Sequence, residues 1–400
     1  MTTETSAGRA SEIFAVFLKL GLTSFGGPVA HLGYFRAEFV ERRKWLGESN
    51  YADLVALCQF LPGPASSQVG IAIGLSRGGY PGALAAWTGF TLPSAIALVL
   101  FGYGLTALGN LHSSVLGGGW LHGLKAAAVA VVAMAILGMA RTLTPDRARA
   151  TLAVAAMMVA FAMPSAWGQI AAIVLGAIVG VTFLEAALPT DQTVLPLAVG
   201  RTAGVIALSI FFALLVVLPL LAEATGNSSL KLLDTFYRVG SLVFGGGHVV
   251  LPLLKAEVVP GWVSDDAFLA GYGATQAVPG PLFTFAAYLG AVIGGWQAAI
   301  VCLLGIFLPS FLLVTGVLPF WDALRKKPAA QSALRGVNAA VVGLLLAAFY
   351  DPVWTAGITD KADCALAAAA FLLLLMWQTP PWLVVLLAAA AGELLSVVAG

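Results

Sequence analysis

The sequence predicts an all-α polytopic membrane protein made of two inverted homologous halves, with discontinuous, re-entrant helices at Pro-Gly-Pro and Phe-Gly-Gly breaks. Composition, charge-free runs and an internal repeat predict it. Of 400 residues, 60% are hydrophobic and 10% charged, whereas a soluble domain carries about 25% charged residues. No Asp, Glu, Lys or Arg occurs from Leu54 to Ser76, from Gly78 to Leu124, or from Ala267 to Trp321. A spanning helix needs about 20 mostly apolar residues, so each run is long enough to cross a bilayer.

The repeat is ordered along the whole chain. Phe17, Lys19, Gly21 and Phe25-Gly26-Gly27 match Phe236, Arg238, Gly240 and Phe244-Gly245-Gly246. Ala37-Glu38 matches Ala256-Glu257, Trp45 matches Trp262, and Gln59 matches Gln276. Pro62-Gly63-Pro64 matches Pro279-Gly280-Pro281, Gly78-Gly79 matches Gly294-Gly295, and Leu92-Pro93-Ser94 matches Leu308-Pro309-Ser310. Shared membrane composition would not keep such order. The division that follows is an N-terminal half over 1–195, a linking helix within 196–228, and a C-terminal half over 229–400.

Each half opens with two broken segments. Proline removes a backbone donor, and backbone freed inside a membrane must bond to something other than lipid. Regular helices follow near 81–108, 121–140, 150–162 and 168–186, and again near 296–319, 335–350, 364–377 and 382–398. An extra apolar segment, 202–222, joins the halves.

Charge sets the orientation, because basic loops favour the cytoplasm. Arg42-Arg43-Lys44 and Arg141, Arg147 and Arg149 fall on one side only if the Pro-Gly-Pro segment enters and leaves by one face. The 202–222 segment then inverts the second half. Its acidic loops, Asp265-Asp266 and Asp351 to Asp363, fall outside, and Arg325, Lys326, Lys327 and Arg335 fall inside. The expected location is a bacterial inner membrane, multi-pass, with the C-terminus periplasmic. The N-terminal apolar run is interrupted by Lys19, so it does not read as a signal peptide.

Inverted repeats with broken helices are an architecture of secondary transporters, with the site between the repeats. A half-helix N-terminus offers N–H groups and partial positive charge, which suits an anion. After the first Pro-Gly-Pro stand Ser66 and Ser67; after the second stands Thr284. Gln59 and Gln276 precede the breaks by three residues. These groups either bind an oxyanion or only cap the freed backbone. Lys19 and Arg238 are matched cations in apolar stretches. Each either faces a bound anion, reaches an interface, or pairs with a local carboxylate. Glu38 and Glu257, also matched, either pair with those cations or with Arg36 and Lys255, or carry a coupling proton. Gly26, Gly27, Gly245 and Gly246 either let backbone approach the substrate or serve helix packing. Lys125 matches Asn338, so it reads as a one-sided adjustment or an interface anchor.

Other function classes find little support. No nucleotide-binding Gly-rich loop occurs, and no cofactor is expected. His31, His112, His122 and His248 show no metal spacing, and Cys58, Cys302 and Cys364 read as small core residues. No nucleophile–base pair marks an enzyme, and no basic patch interleaved with aromatics marks a nucleic-acid binder. Membrane lipid is the expected surrounding, and the reading allows a homodimer.

At Phe25-Gly26-Gly27-Pro28, Gln59 to Pro64, Phe244 to His248, Gln276 to Pro281 and the two Leu-Pro-Ser triplets, the chain resembles the chromate ion transporter family in its long two-domain form. The resemblance covers nearly the whole chain. It implies export of chromate from the cytoplasm, energised by membrane potential or proton gradient, giving chromate resistance. Sulfate, of like shape and charge, is the alternative substrate, and an uncoupled anion channel the alternative mechanism. The second half departs at Gly247 against Pro28 and at Phe283 against Ser66, which argues against a two-fold symmetric site.

Overall fold

The computed structural model describes residues 6–110, 119–185, 199–244 and 247–399. Among them every regular element is helical. The first half contains α1 (Ser6–Thr23), α2 (Gly27–Arg36), α3 (Glu48–Phe60), α4 (Ala65–Asn110), α5 (Gly119–Leu143), α6 (Arg147–Ala162) and α7 (Ala166–Phe183). Next in the chain is α8 (Arg201–Thr225). Then come α9 (Ser228–Leu242), α10 (Val250–Val258), α11 (Asp265–Ala277), α12 (Phe285–Val317), the short α13 (Trp321–Leu324), α14 (Pro328–Ala348), the short α15 (Thr355–Gly357), α16 (Lys361–Leu375) and α17 (Pro381–Ala399). Five stretches are long and apolar enough to cross a membrane: 65–107, 119–143, 201–225, 282–324 and 328–357.

Local chemistry sets the helix starts. Asp146, Ser165, Asn227, Ser264 and Asp360 each accept a backbone N–H of the first turn of α6, α7, α9, α11 and α16. Such caps satisfy donors that have no partner inside the helix. The breaks fall where the sequence places them. Gly26 and Gly27 separate α1 from α2 at φ +97° and +76°. Gly63 and Gly280, inside the two Pro-Gly-Pro triplets, take φ +119° and +100°. A third matched pair is also a break: Gly79 at φ +63° and Gly295 at φ +75° interrupt α4 and α12.

The Gly79 break folds α4 back on itself. A Cβ added at Gly74 would stand 2.3 Å from the Gly82 carbonyl, and one at Gly290 would stand 2.5 Å from the Ala298 carbonyl. The segment from Ala65 to the break and α3 each hold 13 residues, about 20 Å of helix, short of a bilayer core of about 30 Å. The ends of both opening hairpins lie together. Arg43 donates to Glu12 at 3.0 Å, which joins the end of the α2 region to the start of α1. The Arg77 guanidinium lies 4.8 Å above the Trp45 ring, which joins the end of the first α4 segment to the loop before α3.

The matched helices α4 and α12 pack together running in opposite directions. Trp87 lies against Phe307 and Phe311, and further along α4 Gly102 faces Tyr288 and Ala291. The later helices are exchanged between the halves. Helix α7 packs on α14, and α17 packs on α5. Both crossings are made by small residues. Gly176 and Gly180 lie against Gly336, while Gly392 lies against Gly119 and Gly123. A Cβ at Gly336 would stand 1.9 Å from the Gly176 carbonyl, and one at Gly123 2.1 Å from the Ala388 carbonyl. Contact this close needs glycine and is the packing that draws helices together in lipid. Cys58 and Cys302 are buried as read from the sequence, whereas Cys364 is at the surface.

Candidate functional site

The two Pro-Gly-Pro breaks do not serve their own halves. The Gly63 N–H donates to the Val243 carbonyl at 2.6 Å, and the Gly280 N–H donates to the Ser24 carbonyl at 2.9 Å. Val243 and Ser24 are matched residues, each just ahead of a Phe-Gly-Gly. The Leu-Pro-Ser serines complete the crossing. A Cβ added at Gly63 would stand 2.8 Å from Ser310 Oγ, and one at Gly280 would stand 2.8 Å from Ser94 Oγ. Pro28 lies beside Gly247, its own counterpart: a Cβ there would meet the proline ring at 3.3 Å. The breaks therefore meet at one crossing, and backbone groups freed in one half are bonded by the other.

The crossing is lopsided in polarity. Ser24, His31, Ser66, Ser67, Gln68 and Thr91 are all buried. Their counterparts in the second half are Val243, Val250, Phe283, Thr284, Phe285 and Phe307. Among the described residues, Ser24 Oγ, His31 Nε2, Ser67 Oγ, Gln68 Oε1 and Thr91 Oγ1 are buried without a hydrogen-bond partner. A buried polar group without a partner costs free energy comparable to a lost hydrogen bond, so such groups are rare. Contacts join them into one neighbourhood. His31 Nδ1 lies 3.3 Å from Ser66 Oγ, and its ring packs edge-on against Phe90, next to Thr91. The Phe90 carbonyl faces Gly280, which bonds Ser24. Gln68 Nε2 donates to the Pro62 carbonyl at 2.6 Å and lies 3.4 Å from Ser310 Oγ.

The residues singled out from the sequence divide into those at the crossing and those away from it. Ser66 and Ser67 are at it, on the first turn of α4. Thr284 is buried there, but its Oγ1 donates to the Pro281 carbonyl at 2.7 Å and so caps freed backbone. Gln276 has a buried Nε2 without a partner, while Gln59 is exposed. Gly26 and Gly27 form the first break; Gly245 and Gly246 lie outside the described residues. The matched cations sit in unlike surroundings. Arg238 bonds Glu257 at 2.8 Å and Asp234 at 3.1 Å. Lys19 is exposed, with no carboxylate partner among the described residues. Glu38 pairs with Arg42 at 2.9 Å and Arg43 at 2.6 Å instead. Arg36 bonds Glu48 and Glu41, and its hydrogen bond holds the Glu48 carboxyl below the usual carboxylate range. Lys255 pairs with Asp351 and Asp265, and buried Lys125 with Asp266 at 2.9 Å.

The sequence alone does not single out Ser24, His31, Gln68 or Thr91 as site residues. A signal was present: each is the polar member of a repeat pair whose other member is apolar. A position-by-position comparison of the halves would have exposed that contrast.

The sequence pattern of the chromate transporter family matches residues 11–181 and again 230–393. The chain belongs to the chromate transporter family. Its relatives include the chromate transport protein of Pseudomonas aeruginosa, 28% identical over 85% of this chain and 80% of that protein. The chromate transport protein of Cupriavidus metallidurans is 27% identical over 84% of this chain and 81% of its own length. The probable chromate transport protein of Synechococcus elongatus is 26% identical over 83% and 81%. No solved structure matches the chain. Family membership and the five long apolar stretches make it a multi-pass membrane protein.

Proposed function

We propose that this chain is a secondary transporter, not an enzyme, that exports chromate across the inner membrane through a site at the crossed breaks. The observation that carries the reading is the crossing itself. Half-helix ends from both halves meet there, and the first half adds buried hydroxyls and an imidazole Nε2 without a hydrogen-bond partner among the described residues. Neutral donors and a helix N-terminus suit a tetrahedral oxyanion. Rocking of one half against the other about these breaks would expose the site to each side in turn.

The halves are read as inverted, in agreement with the charge pattern. Antiparallel packing of the matched helices α4 and α12 supports a pseudo-two-fold axis across the helices, in the membrane plane. The Arg43–Glu12 and Arg77–Trp45 contacts support hairpins that enter and leave by one face. Cross-half contacts agree in side: Arg325 with Asp53 and Arg335 with the Glu185 carbonyl within, Lys125 with Asp266 and His122 with Asp363 without. In a cysteine-free background on intact cells, an impermeant thiol reagent is expected to label a cysteine at Asp360 and to spare one at Lys326. The reverse pattern would sink the inverted arrangement.

The direct test of function is uptake of labelled chromate by everted membrane vesicles. Uptake that depends on this chain and collapses with the proton gradient or membrane potential is expected. Uptake indifferent to both would make the chain an uncoupled channel, and no chain-dependent uptake would remove the transport reading.

A further inference from the structure

Ion pairs tie the two halves together at both ends of the molecule, and the two ties are unequal. Asp53 on α3 meets Arg325, just past α13, at 2.6 Å, with side chains 9% and 4% exposed. Lys125 on α5 meets Asp266 on α11 at 2.9 Å, but Asp266 is 76% exposed. Resting on the transport reading and the inverted arrangement above, we infer that the Asp53–Arg325 pair, with Trp321, is the inner gate of the transporter. It closes the crossing to the cytoplasm and parts in every transport cycle.

The local chemistry sets Arg325 apart. It opens a run of three basic residues, Arg325-Lys326-Lys327. Lys326 and Lys327 are exposed, as a loop charge should be, whereas Arg325 is turned inward and buried. Trp321, one helical turn earlier, joins it. Trp321 Nε1 donates to the same Asp53 Oδ1 at 3.1 Å, and its ring lies 5.5 Å from that of Phe60. Asp53 and Phe60 are seven residues apart on α3, two turns along one face and about 10 Å. Phe60 stands two residues ahead of Pro62, where the break begins. The second half therefore covers α3 from Asp53 to the edge of the crossing. Helix α3 itself packs on α4 of its own half. Movement of one half against the other at this end must separate these side-chain contacts.

The energetics suit a contact that parts. Two buried charges regain their lost solvation only if the geometry is good and the remaining lone pairs also find donors. Asp53 Oδ2 is buried and has no hydrogen-bond partner among the described residues. The closed pair is therefore near energetic balance, and water re-solvates both charges when it opens. An apolar seal would instead lose on opening all that burial had gained. The pair also fixes one register, because a single buried cation has to find a single carboxylate. The second half has Ala270 where the first has Asp53, so this closure is not repeated at the matching position. At the other end, the exposed Asp266 leaves the tie to Lys125 open to water on one side.

The test reads access to the crossing from each face. A cysteine-free full chain carrying Ser67→Cys is treated with an impermeant methanethiosulfonate reagent, in everted vesicles and in intact cells. Addition of Asp53→Asn should raise labelling at least tenfold in everted vesicles and leave it unchanged in intact cells. Arg325 also bonds Asp322 at 2.7 Å, so this change leaves the cation a carboxylate and the fold should be kept. Addition of Asp266→Asn should not raise labelling in everted vesicles. A second arm uses Asp53→Cys with Arg325→Cys, joined by a reducible bifunctional methanethiosulfonate reagent. Chromate flux in proteoliposomes should fall at least tenfold on joining and return on reduction. The same reagent should leave the flux of either single-cysteine variant as it was before treatment. Labelling that ignores Asp53→Asn, or rises equally from both faces, would overturn the inference. So would full flux while the two cysteines are joined. Absence of chromate flux in the wild-type chain would instead remove the transport reading beneath it.

Discussion

Alanine at Gly63 or Gly280 is expected to cut chromate flux at least tenfold. Both glycines hold positive φ, +119° and +100°, where a side chain adds strain of about 1–3 kcal/mol. The added methyl also has no room. At Gly63 it would stand 2.6 Å from Gln68 Nε2 and 2.8 Å from Ser310 Oγ. At Gly280 it would stand 2.8 Å from Ser94 Oγ and 3.2 Å from the Phe90 carbonyl. The Gln68 and serine side chains can turn; the Phe90 carbonyl is backbone and cannot. Gly280→Ala should therefore be the harsher change. Either shift pulls on the hydrogen bond that ties one half to the other, at Val243 or at Ser24. Tenfold corresponds to about 1.4 kcal/mol, less than strain and clash together supply. Gly261, with nothing within 4 Å of an added Cβ, is the control. Flux per folded protein should be unchanged in Gly261→Ala. Normal flux in both Gly63→Ala and Gly280→Ala would remove the crossing from the transport path.

Neutralising Arg238 is expected to lower membrane abundance before it touches flux. Its guanidinium bonds Glu257, 15% exposed, and Asp234, 9% exposed. Removing the arginine, itself 31% exposed, strands these more deeply buried carboxylates, at a cost of about 1–3 kcal/mol. Arg238→Gln should thus lose most of its folded protein. Arg238→Gln with Glu257→Gln should recover much of it. Arg238→Lys should be milder, since charge remains while the planar fork is lost. Lys19, exposed and without a carboxylate partner among the described residues, should tolerate Gln at normal abundance. Flux then decides its role. A loss of transport in Lys19→Gln at full abundance would make that cation act on the anion. Wild-type flux would leave it a surface anchor.

Much of the helical layout was legible because lipid is a strict solvent. Charge-free runs must become helices, and helix-breaking residues in them must become breaks. The runs around 81–108, 121–140 and 202–222 fall within α4, α5 and α8. Gly79 and Gly295 were visible as a matched pair, but glycine in an apolar run does not announce φ > 0. Which break meets which was not legible at all. The Gly63–Val243 and Gly280–Ser24 bonds join residues far apart in sequence, through backbone groups that carry no sequence signal. The same holds for the pairing of Lys125 with Asp266 and Arg325 with Asp53. Sequence position can match charges within a repeat, but partners across the exchanged halves depend on packing. The polar groups of the site were hidden for another reason. Polar side chains near a helix break ordinarily cap freed backbone, and only the buried Ser67 Oγ and Gln68 Oε1, without a partner among the described residues, distinguish these two from ordinary caps.

The most direct measurement is equilibrium binding of labelled chromate to the purified protein, for wild type, Ser24→Ala, His31→Ala and Ser67→Ala. Ser24→Ala and Ser67→Ala remove hydroxyls that lack a partner among the described residues, so the fold should be kept; His31→Ala also removes the Nδ1 contact with Ser66, and its yield is read beside its affinity. A hydrogen bond to a charged group contributes about 1.5–3 kcal/mol. At least a tenfold weaker affinity is predicted for each variant at normal yield. Wild-type affinity in all three would contradict a chromate site at the crossed breaks.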